Sequence, residues 1–434
     1  MKMQKSVKIV SLGCSKNTVD SEKLLKQLQF AGYYTGNRRN NKKTDIVIVN
    51  TCGFINDAKE ESINTILELV EARRRGSIGE LYVMGCLSER YKDQLKKEIP
   101  EVDKYFGVNN PAEILKYLKY GYNKSLELDR QLTGPSHFAY LKVSEGCNRK
   151  CAFCAIPGIR GPYISTPIDD LVKEAGNLAG NGVKELILIA QDLSYFGTDL
   201  YRKPMLTRLC EMILDNTGIE WLRLHYLYPG NIPDDLLEMI KYNSRICKYI
   251  DLPIQHISDS ILSAMKRNHT GDDTRKLLYH IRDYIPEVAI RTTLITGYPG
   301  ETEKDFNSLL RFVTEFRFER LGVFTYSHEE DTYAYRTMSD NVPEKIKKER
   351  ADEIMAVQQQ ISLQKNRDMA GKSIDVIIDS EENEYYIARS EYDSPEIDQE
   401  VLIKKESNIL KSGEFYNVLI TGSSEFDLEA RFLS

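Results

Sequence analysis

The chain has 434 residues, 41% hydrophobic and 29% charged, a balance that predicts a soluble globular protein of two or three domains. Its formal net charge of −6 argues against a protein that binds polyanions over its whole surface, and no apolar run is long enough to span a membrane. The opening Met1-Lys2-Met3-Gln4-Lys5 leads straight into a strand pattern rather than a signal peptide. A cytoplasmic location is therefore expected, with the eight cysteines as ligands or core residues rather than disulfides.

The first third alternates strand and helix. Strands are expected over 7–10, 45–49 and 80–84, with a fourth over 102–108, and helices over 21–30, 58–74 and 89–97. Asn110-Pro111 reads as a cap with proline at the first helical position, opening a helix to Tyr120. Short apolar strands alternating with helices predict a parallel sheet covered on both faces. Cys14, Cys52 and Cys86 each follow one of the first three strands, beside Gly13, Gly53 and Gly85. The carboxyl ends of parallel strands line one edge, where ligands bind, and glycine lets the backbone approach a bulky ligand. Cysteine is also a common buried residue. Three at equivalent strand ends favour one cluster held by three thiolates.

A second array begins near His137. Strands over 138–143, 185–190, 221–226, 249–253, 289–295 and 320–326, with helices such as 168–179, 236–242 and 303–316 between them, predict six β/α units. That is a TIM-like barrel not fully closed, in which chemistry sits on the loops at the strands' carboxyl ends. The loop after its first strand is Cys147-Asn148-Arg149-Lys150-Cys151-Ala152-Phe153-Cys154, a CxxxCxxC run. Structural zinc usually takes four protein ligands, commonly from paired CxxC units, and neither a second pair nor a histidine accompanies this run. Closely spaced thiolates also hold iron–sulfur clusters, and a cubane held by three keeps one iron open for a substrate or cofactor. Gln191-Asp192, Gln255-His256 and Thr296-Gly297-Tyr298-Pro299-Gly300-Glu301 fall at the same rim. His225 and His256 are as readily structural as functional, and the isolated Cys210 and Cys247 read as core.

A Lys-, Glu- and Gln-rich helix over 344–367 reads as a solvated connector with one apolar stripe. After Gly371, five short strands over 374–378, 385–388, 401–404, 416–420 and 428–432 predict a small antiparallel barrel. From Gly371 to Ser434 there are six Lys and Arg against fifteen Asp and Glu, a net charge of −9. Such a surface repels nucleic acid and attracts a basic partner, although surface acids also serve solubility alone.

The cysteine run, with Ser144-Glu145-Gly146 before it and Ile156-Pro157-Gly158-Ile159-Arg160-Gly161 after it, resembles the radical S-adenosylmethionine enzymes and, among them, the methylthiotransferases. Ser11-Leu12-Gly13-Cys14-Ser15-Lys16-Asn17, Asn50-Thr51-Cys52-Gly53-Phe54 and Gly85-Cys86-Leu87 resemble that family's N-terminal domain. The last domain resembles its TRAM module, an OB-related barrel. The resemblance covers nearly the whole chain and implies an α/β enzyme in three parts: an N-terminal parallel-sheet domain over 5–122, a partial (β/α)6 core over 133–364 and TRAM over 367–434. It implies two 4Fe–4S clusters, one on Cys147, Cys151 and Cys154 and the other on Cys14, Cys52 and Cys86. It also implies S-adenosylmethionine contacts near Gly297, Pro299, Gly300, Gln191 and Gln255, and an electron donor of the flavodoxin or ferredoxin type. One branch of the family modifies an adenosine of transfer RNA, the other an aspartate of a basic small-subunit ribosomal protein. Residues 50–55, 251–256 and 394–398 are similar to the ribosomal-protein branch, whereas Asn268-His269-Thr270 is closer to the transfer-RNA branch. With the acidic last domain, the expectation is the ribosomal-protein branch, with transfer RNA as the alternative. No membrane association and no strong nucleic-acid binding by the last domain are expected.

Overall fold

The structure is a computed structural model, and it describes residues 4–36, 43–108, 110–230, 232–405 and 408–433. Strands β1 (Val7–Ser11), β2 (Thr44–Thr51), β3 (Ile78–Gly85) and β4 (Lys104–Tyr105) form a parallel sheet in sequence order. Helices α1 (Ser15–Phe30), α2 (Asn56–Arg74), α3 (Cys86–Glu98) and α4 (Pro111–Tyr117) connect and cover it. The run Ile46 to Val49 is buried throughout, as a strand covered on both faces requires. Asn110 caps α4 as its sequence implies, its side chain accepting Glu113 N at 3.1 Å. The expected fourth strand shrinks to two residues.

Helix α1 starts six residues earlier than its apolar pattern suggested. Its first turns bury polar groups: Asn17 Nδ2 donates to Leu12 O and Thr51 O, and Asn50 Nδ2 donates to Ser21 Oγ. A helix face that meets strand ends through hydrogen bonds shows no apolar period.

The second sheet opens with β5 (Phe138–Lys142). A ribbon of β6 (Ser144–Glu145) and β7 (Ile164–Ser165) brackets the cysteine loop and the short α5 (Ile156–Arg160). Then come β8 (Glu185–Ile189), β9 (Trp221–Leu224), β10 (Ile246–Asp251), β11 (Ala289–Thr296) and β12 (Arg320–Thr325). The six long strands lie parallel in the order β5-β8-β9-β10-β11-β12, an open barrel. The outer helices are α6 (Ile168–Gly180), α7 (Thr198–Tyr201), α8 (Leu206–Asn216), α9 (Asp234–Tyr242), α10 (Asp259–Ala264), α11 (Gly271–Tyr284), α12 (Glu303–Phe316) and α13 (Tyr333–Thr337).

Helix α14 (Glu344–Arg367) spans the expected residues, but it is more than a solvated connector. It packs against α12, β11 and β12, and its inner face mixes Ile354 and Ile361 with buried Lys347, Arg350, Gln358 and Asn366. Each of these four side chains makes at least one polar contact: Arg350 pairs with Glu301 at 2.8 Å, and Gln358 donates to Phe318 O at 2.9 Å, while Arg350 Nε and Gln358 Oε1 meet no partner among the described residues.

The last five strands, β13 (Ser373–Glu382), β14 (Tyr385–Ser390), β15 (Val401–Lys404), β16 (Phe415–Ser423) and β17 (Leu428–Phe432), close a barrel in the order β13-β14-β15-β17-β16. It is not wholly antiparallel: β15 and β17 pair in parallel. The loop after β14 enters the open barrel. Asp393 accepts from Arg320 Nε at 2.8 Å, Ser394 Oγ lies 3.0 Å from His225 Nε2, and Asp398 faces Arg291 Nε at 3.4 Å. Glu185, fully buried, joins Arg223 at 2.7 Å to Arg389 at 2.7 Å across the same boundary. The stretch 394–398 is thus a structural plug. Part of the acidic excess of the last domain neutralises arginines of the core; Asp375, Glu381, Glu382, Glu384, Glu400 and Glu429 remain exposed.

Candidate functional site

Parallel register sets the first group of thiols. Ser11 stands opposite Asn50 and Thr51 opposite Gly85, so β1, β2 and β3 end in line. Cys14 becomes the residue before α1, Cys52 follows β2 and Cys86 opens α3. The glycines beside them are required by space. A Cβ on Gly13, at φ +85°, would lie 2.5 Å from Cys52 Cβ, and one on Gly53 would lie 2.6 Å from Leu87 Cα. Burial pushes the Cys52 thiol up and the Cys86 thiol up to about 12, with Arg160 opposing the shift at both.

The second group sits in a loop held by its backbone. Cys147 N donates to Gly161 O at 3.1 Å, Ala152 N to Met265 O at 2.9 Å, and Ala334 N to Ala152 O at 2.8 Å. Burial raises Cys147 to about 11 and Cys154 to about 12. Two N–H groups aim at sulfur: Arg149 N lies 3.4 Å from Cys147 Sγ and Arg267 Nη1 lies 3.6 Å from Cys151 Sγ. The two guanidiniums enclose the Tyr228 ring, at 3.8 and 4.3 Å from its centroid, and Arg149 is anchored to buried Asp192 at 2.6 Å.

A cavity of about 330 Å³ opens beside this loop. It is lined by Cys147, Cys151 and Cys154, by Gln191, Gln255 and Thr293, and by Phe54 and Ile55 of the N-terminal domain. That volume is at the lower end of small-molecule sites, roughly 300–1,000 Å³. A wider basin of about 890 Å³, lined by Arg149, Lys150, Cys151, Lys266 and Arg267 among others, lies on the loop's outer side.

The two thiol groups are neighbours. Cys86 packs in one apolar cluster with Ala155, which follows Cys154, and with Ile159. Above them Glu329, 2% exposed, accepts from Lys59 Nζ at 3.0 Å and Arg90 Nη1 at 2.8 Å, and the same Nη1 donates to Gly53 O at 2.7 Å. The cavity wall of the core is thereby clamped to α2, α3 and the backbone beside Cys52.

The sequence-expected residues divide. Gln191 and Gln255 line the cavity; Gly297, Pro299 and Gly300 do not. Gly297, at φ +74°, faces Lys347: a Cβ there would collide with that side chain's stem. Its N–H donates to Glu301 Oε2 at 2.7 Å, so the loop is fastened to α14. His225 and His256 are structural. His256 is fully buried, accepts Ser258 N at Nδ1 at 3.0 Å and is held at about 4 by burial; burial also keeps His225 neutral. Cys210 and Cys247 are buried in α8 and β10. Arg267 and Glu329 carry no motif signal of their own, whereas Asn17 and Arg160 stand inside the stretches around the cysteines without a role attached to either.

Among the described residues no three His, Cys, Asp or Glu side chains are drawn together tightly enough for a single metal ion. The donor sets nevertheless suit a larger sulfur-rich group. Each is three thiols with N–H groups or guanidinium charge beside them, and Arg160 Nε and Arg267 Nε are buried donors that meet no acceptor among the described residues.

Comparison with known proteins agrees with this geometry. The model of the Radical SAM superfamily matches residues 141–313, that of the uncharacterized protein family UPF0004 matches 6–107, and that of the TRAM domain matches 370–433. Among solved structures, the radical S-adenosylmethionine methyltransferase TsrM from Kitasatospora setae superposes with a TM-score of 0.55 at 13% identity, over 74% of this chain and 75% of that chain. The cobalamin-dependent S-adenosylmethionine radical enzyme OxsB gives 0.51 at 13%, over 82% and 56%. Fold and cysteine loop therefore define a radical S-adenosylmethionine enzyme. Proteins named ribosomal protein uS12 methylthiotransferase RimO are 51% identical in Christiangramia forsetii (97% of this chain, 93% of that protein) and 50% identical in Porphyromonas gingivalis (98% and 99%). The chain belongs to this RimO methylthiotransferase family. It is a transferase whose cofactors are S-adenosylmethionine and 4Fe–4S clusters.

Proposed function

We propose that the protein methylthiolates the β-carbon of an aspartate in ribosomal protein uS12. Residues 5–122 would form the sulfur-delivering domain, 133–364 the radical core and 367–434 the TRAM module. Cys147, Cys151 and Cys154 would hold one 4Fe–4S cluster, and Cys14, Cys52 and Cys86 the second. With these groups bound, S-adenosylmethionine supplies both the radical that removes hydrogen from an unactivated carbon and the methyl group, and the second cluster presents the sulfur.

The chain's share is placement. The observation that supports the reading is the packing of Cys86 against Ala155, the residue after Cys154, which brings the N-terminal thiols next to the loop whose three cysteines line the cavity. Gln191 and Gln255 offer polar contacts to S-adenosylmethionine from the cavity wall. Gly297, Pro299 and Gly300 act at one remove, by shaping the β11–α12 turn that Glu301 and Arg350 fasten. Phe54, Ile55 and the clamped Glu329 line the cavity and would shield a radical formed there from water and side reactions.

The names of the half-identical relatives support uS12 as substrate. The exposed acids of the last domain suit a basic ribosomal protein, free or in the ribosome, and disfavour strong nucleic-acid binding there. Reducing equivalents would come from a flavodoxin- or ferredoxin-type donor in the cytoplasm; no helix among the described residues is long and apolar enough to cross a membrane. Mass spectrometry of a deletion strain tests the substrate. The expected result is uS12 lacking one methylthio group with transfer-RNA nucleosides unchanged. The reverse result would assign the enzyme to transfer RNA.

A further inference from the structure

The polar network between the two thiol groups centres on Arg160, the last residue of α5, which follows the CxxxCxxC loop. Its side chain is 1% exposed. Nη2 donates to Asn17 Oδ1 at 2.7 Å, Nη1 donates to Glu145 Oε1 at 2.9 Å, and both reach Asp20 Oδ2 at 3.2 Å. Asn17 ties this guanidinium to the N-terminal site. Its Nδ2 holds the ends of β1 and β2 through Leu12 O and Thr51 O, and its Oδ1 lies 3.9 Å from Cys86 Sγ.

Charge balance shows what the guanidinium faces. The two carboxylates beside it, Asp20 and Glu145, are shared with the Lys142 ammonium, so two acids already meet two cations. A further buried cation, Lys16, stands two residues past Cys14 with its ammonium 3.1 Å from the Tyr226 ring centroid. The Arg160 guanidinium thus lies beside Cys86 in the pocket formed with Cys14 and Cys52. The Arg160 Nε–H, buried in the same place, meets no acceptor among the described residues. A buried donor left unmatched costs free energy, and a negatively charged, sulfur-rich group held by three thiolates would answer both the charge and the donor.

We propose that Arg160, supplied by the radical half of the chain, is a positioning residue of the Cys14/Cys52/Cys86 site. It donates a hydrogen bond to the cluster held there and offsets its negative charge. Only a guanidinium fork reaches Asn17, Asp20 and Glu145 while keeping a further N–H free. Because Arg160 rides on the helix after Cys154, the same contact fixes the gap between the two sites. This inference rests on the cluster assignment proposed above.

The test uses the full chain with Cys147, Cys151 and Cys154 replaced by Ala, so that only the N-terminal site can load. After anaerobic reconstitution, iron and sulfide per chain and the midpoint potential from an EPR-monitored titration are compared with and without Arg160→Gln. The expected result is one cluster in the Arg160 chain, and in R160Q a loss of iron or a shift of the potential to more negative values, with Arg160→Lys closer to the parent potential. R160Q with parental iron content and potential would overturn the proposal. No cluster in the Arg160 chain itself would instead overturn the assignment of Cys14, Cys52 and Cys86. If circular dichroism shows that metal-free R160Q does not fold, R160K decides. Reduced loading with the potential kept supports a role for the fork, and full loading rejects it.

Discussion

The two groups of three thiols are assembled in opposite ways. Cys147, Cys151 and Cys154 come from one loop, held by hydrogen bonds from neighbouring loops at Met265 and Ala334. Cys14, Cys52 and Cys86 come from three strand ends and meet only because β1, β2 and β3 are in register. A local site carries its geometry in its own sequence. A distributed site borrows it from a sheet, and should fail when the sheet loosens. The largest expected effect breaks this contrast directly. Leu81→Ala in the buried middle of β3 should cost about 2–5 kcal/mol. Iron per reconstituted chain should fall by roughly half, with the loss confined to the N-terminal site. Equal loss from both sites, read by EPR of chains carrying one cysteine triplet each, would contradict the contrast.

Glycines sharpen the comparison at the next level. Gly13→Ala puts a Cβ against Cys52 on a residue at positive φ and should cost about 1–3 kcal/mol. It should also lower iron at the N-terminal site. Gly158→Ala, in α5 beyond the cysteine loop, meets nothing within 4 Å among the described residues and should leave both clusters in place. Thermal melting and iron content of the two variants measure the difference.

A further substitution separates holding clusters from aligning them. Arg90→Ala removes the cation that joins Glu329 to Gly53 O without touching a cysteine. Both clusters should load, while product formation falls by about 10²-fold, the scale at which small misplacements act. Lys59→Ala, which leaves the shorter Arg90–Glu329 pair intact, should do less. Single-turnover assays on fully loaded enzyme distinguish this from loss of iron.

The contrast also explains what the sequence could reveal. The loop site was legible as a motif, and the distributed site as three cysteines at equivalent strand ends, because both depend on residue type and local period. The limits of α12 and α14 followed from apolar spacing, with Thr302 and Pro343 preceding their first turns. What stayed hidden depends on partners distant in the chain. Gly297 looked like a close approach to a ligand, yet its neighbour is Lys347, fifty residues on. The acids of the last domain looked like one outward surface, yet Asp393 and Asp398 turn into the core toward Arg320 and Arg291. The start of α1 was obscured because Asn17 and Ser21 bury polar side chains against strand ends.

The smallest expected effect concerns pH and the metal-free chain. An unburied thiol titrates near 9, whereas burial holds Cys147 at about 11 and Cys86 and Cys154 at about 12. Above pH 9 the unfolded chain loses these protons while the folded chain keeps them. The stability that thiol burial contributes is therefore complete below pH 9 and declines as pH rises toward 11. His256 works at the other end: burial lowers it from 6.5 to about 4, so stability is lost as pH falls through that interval, when the unfolded chain takes up the proton first. Urea midpoints of the metal-free chain should thus fall on both sides of a plateau between about pH 7 and 9. Replacing Cys147 and Cys154 by Ala should flatten the alkaline side, and Cys86→Ala should flatten it less, since it removes one buried thiol rather than two. Loading iron should flatten that side most, because coordinated sulfur has already released its protons and no longer titrates with the fold.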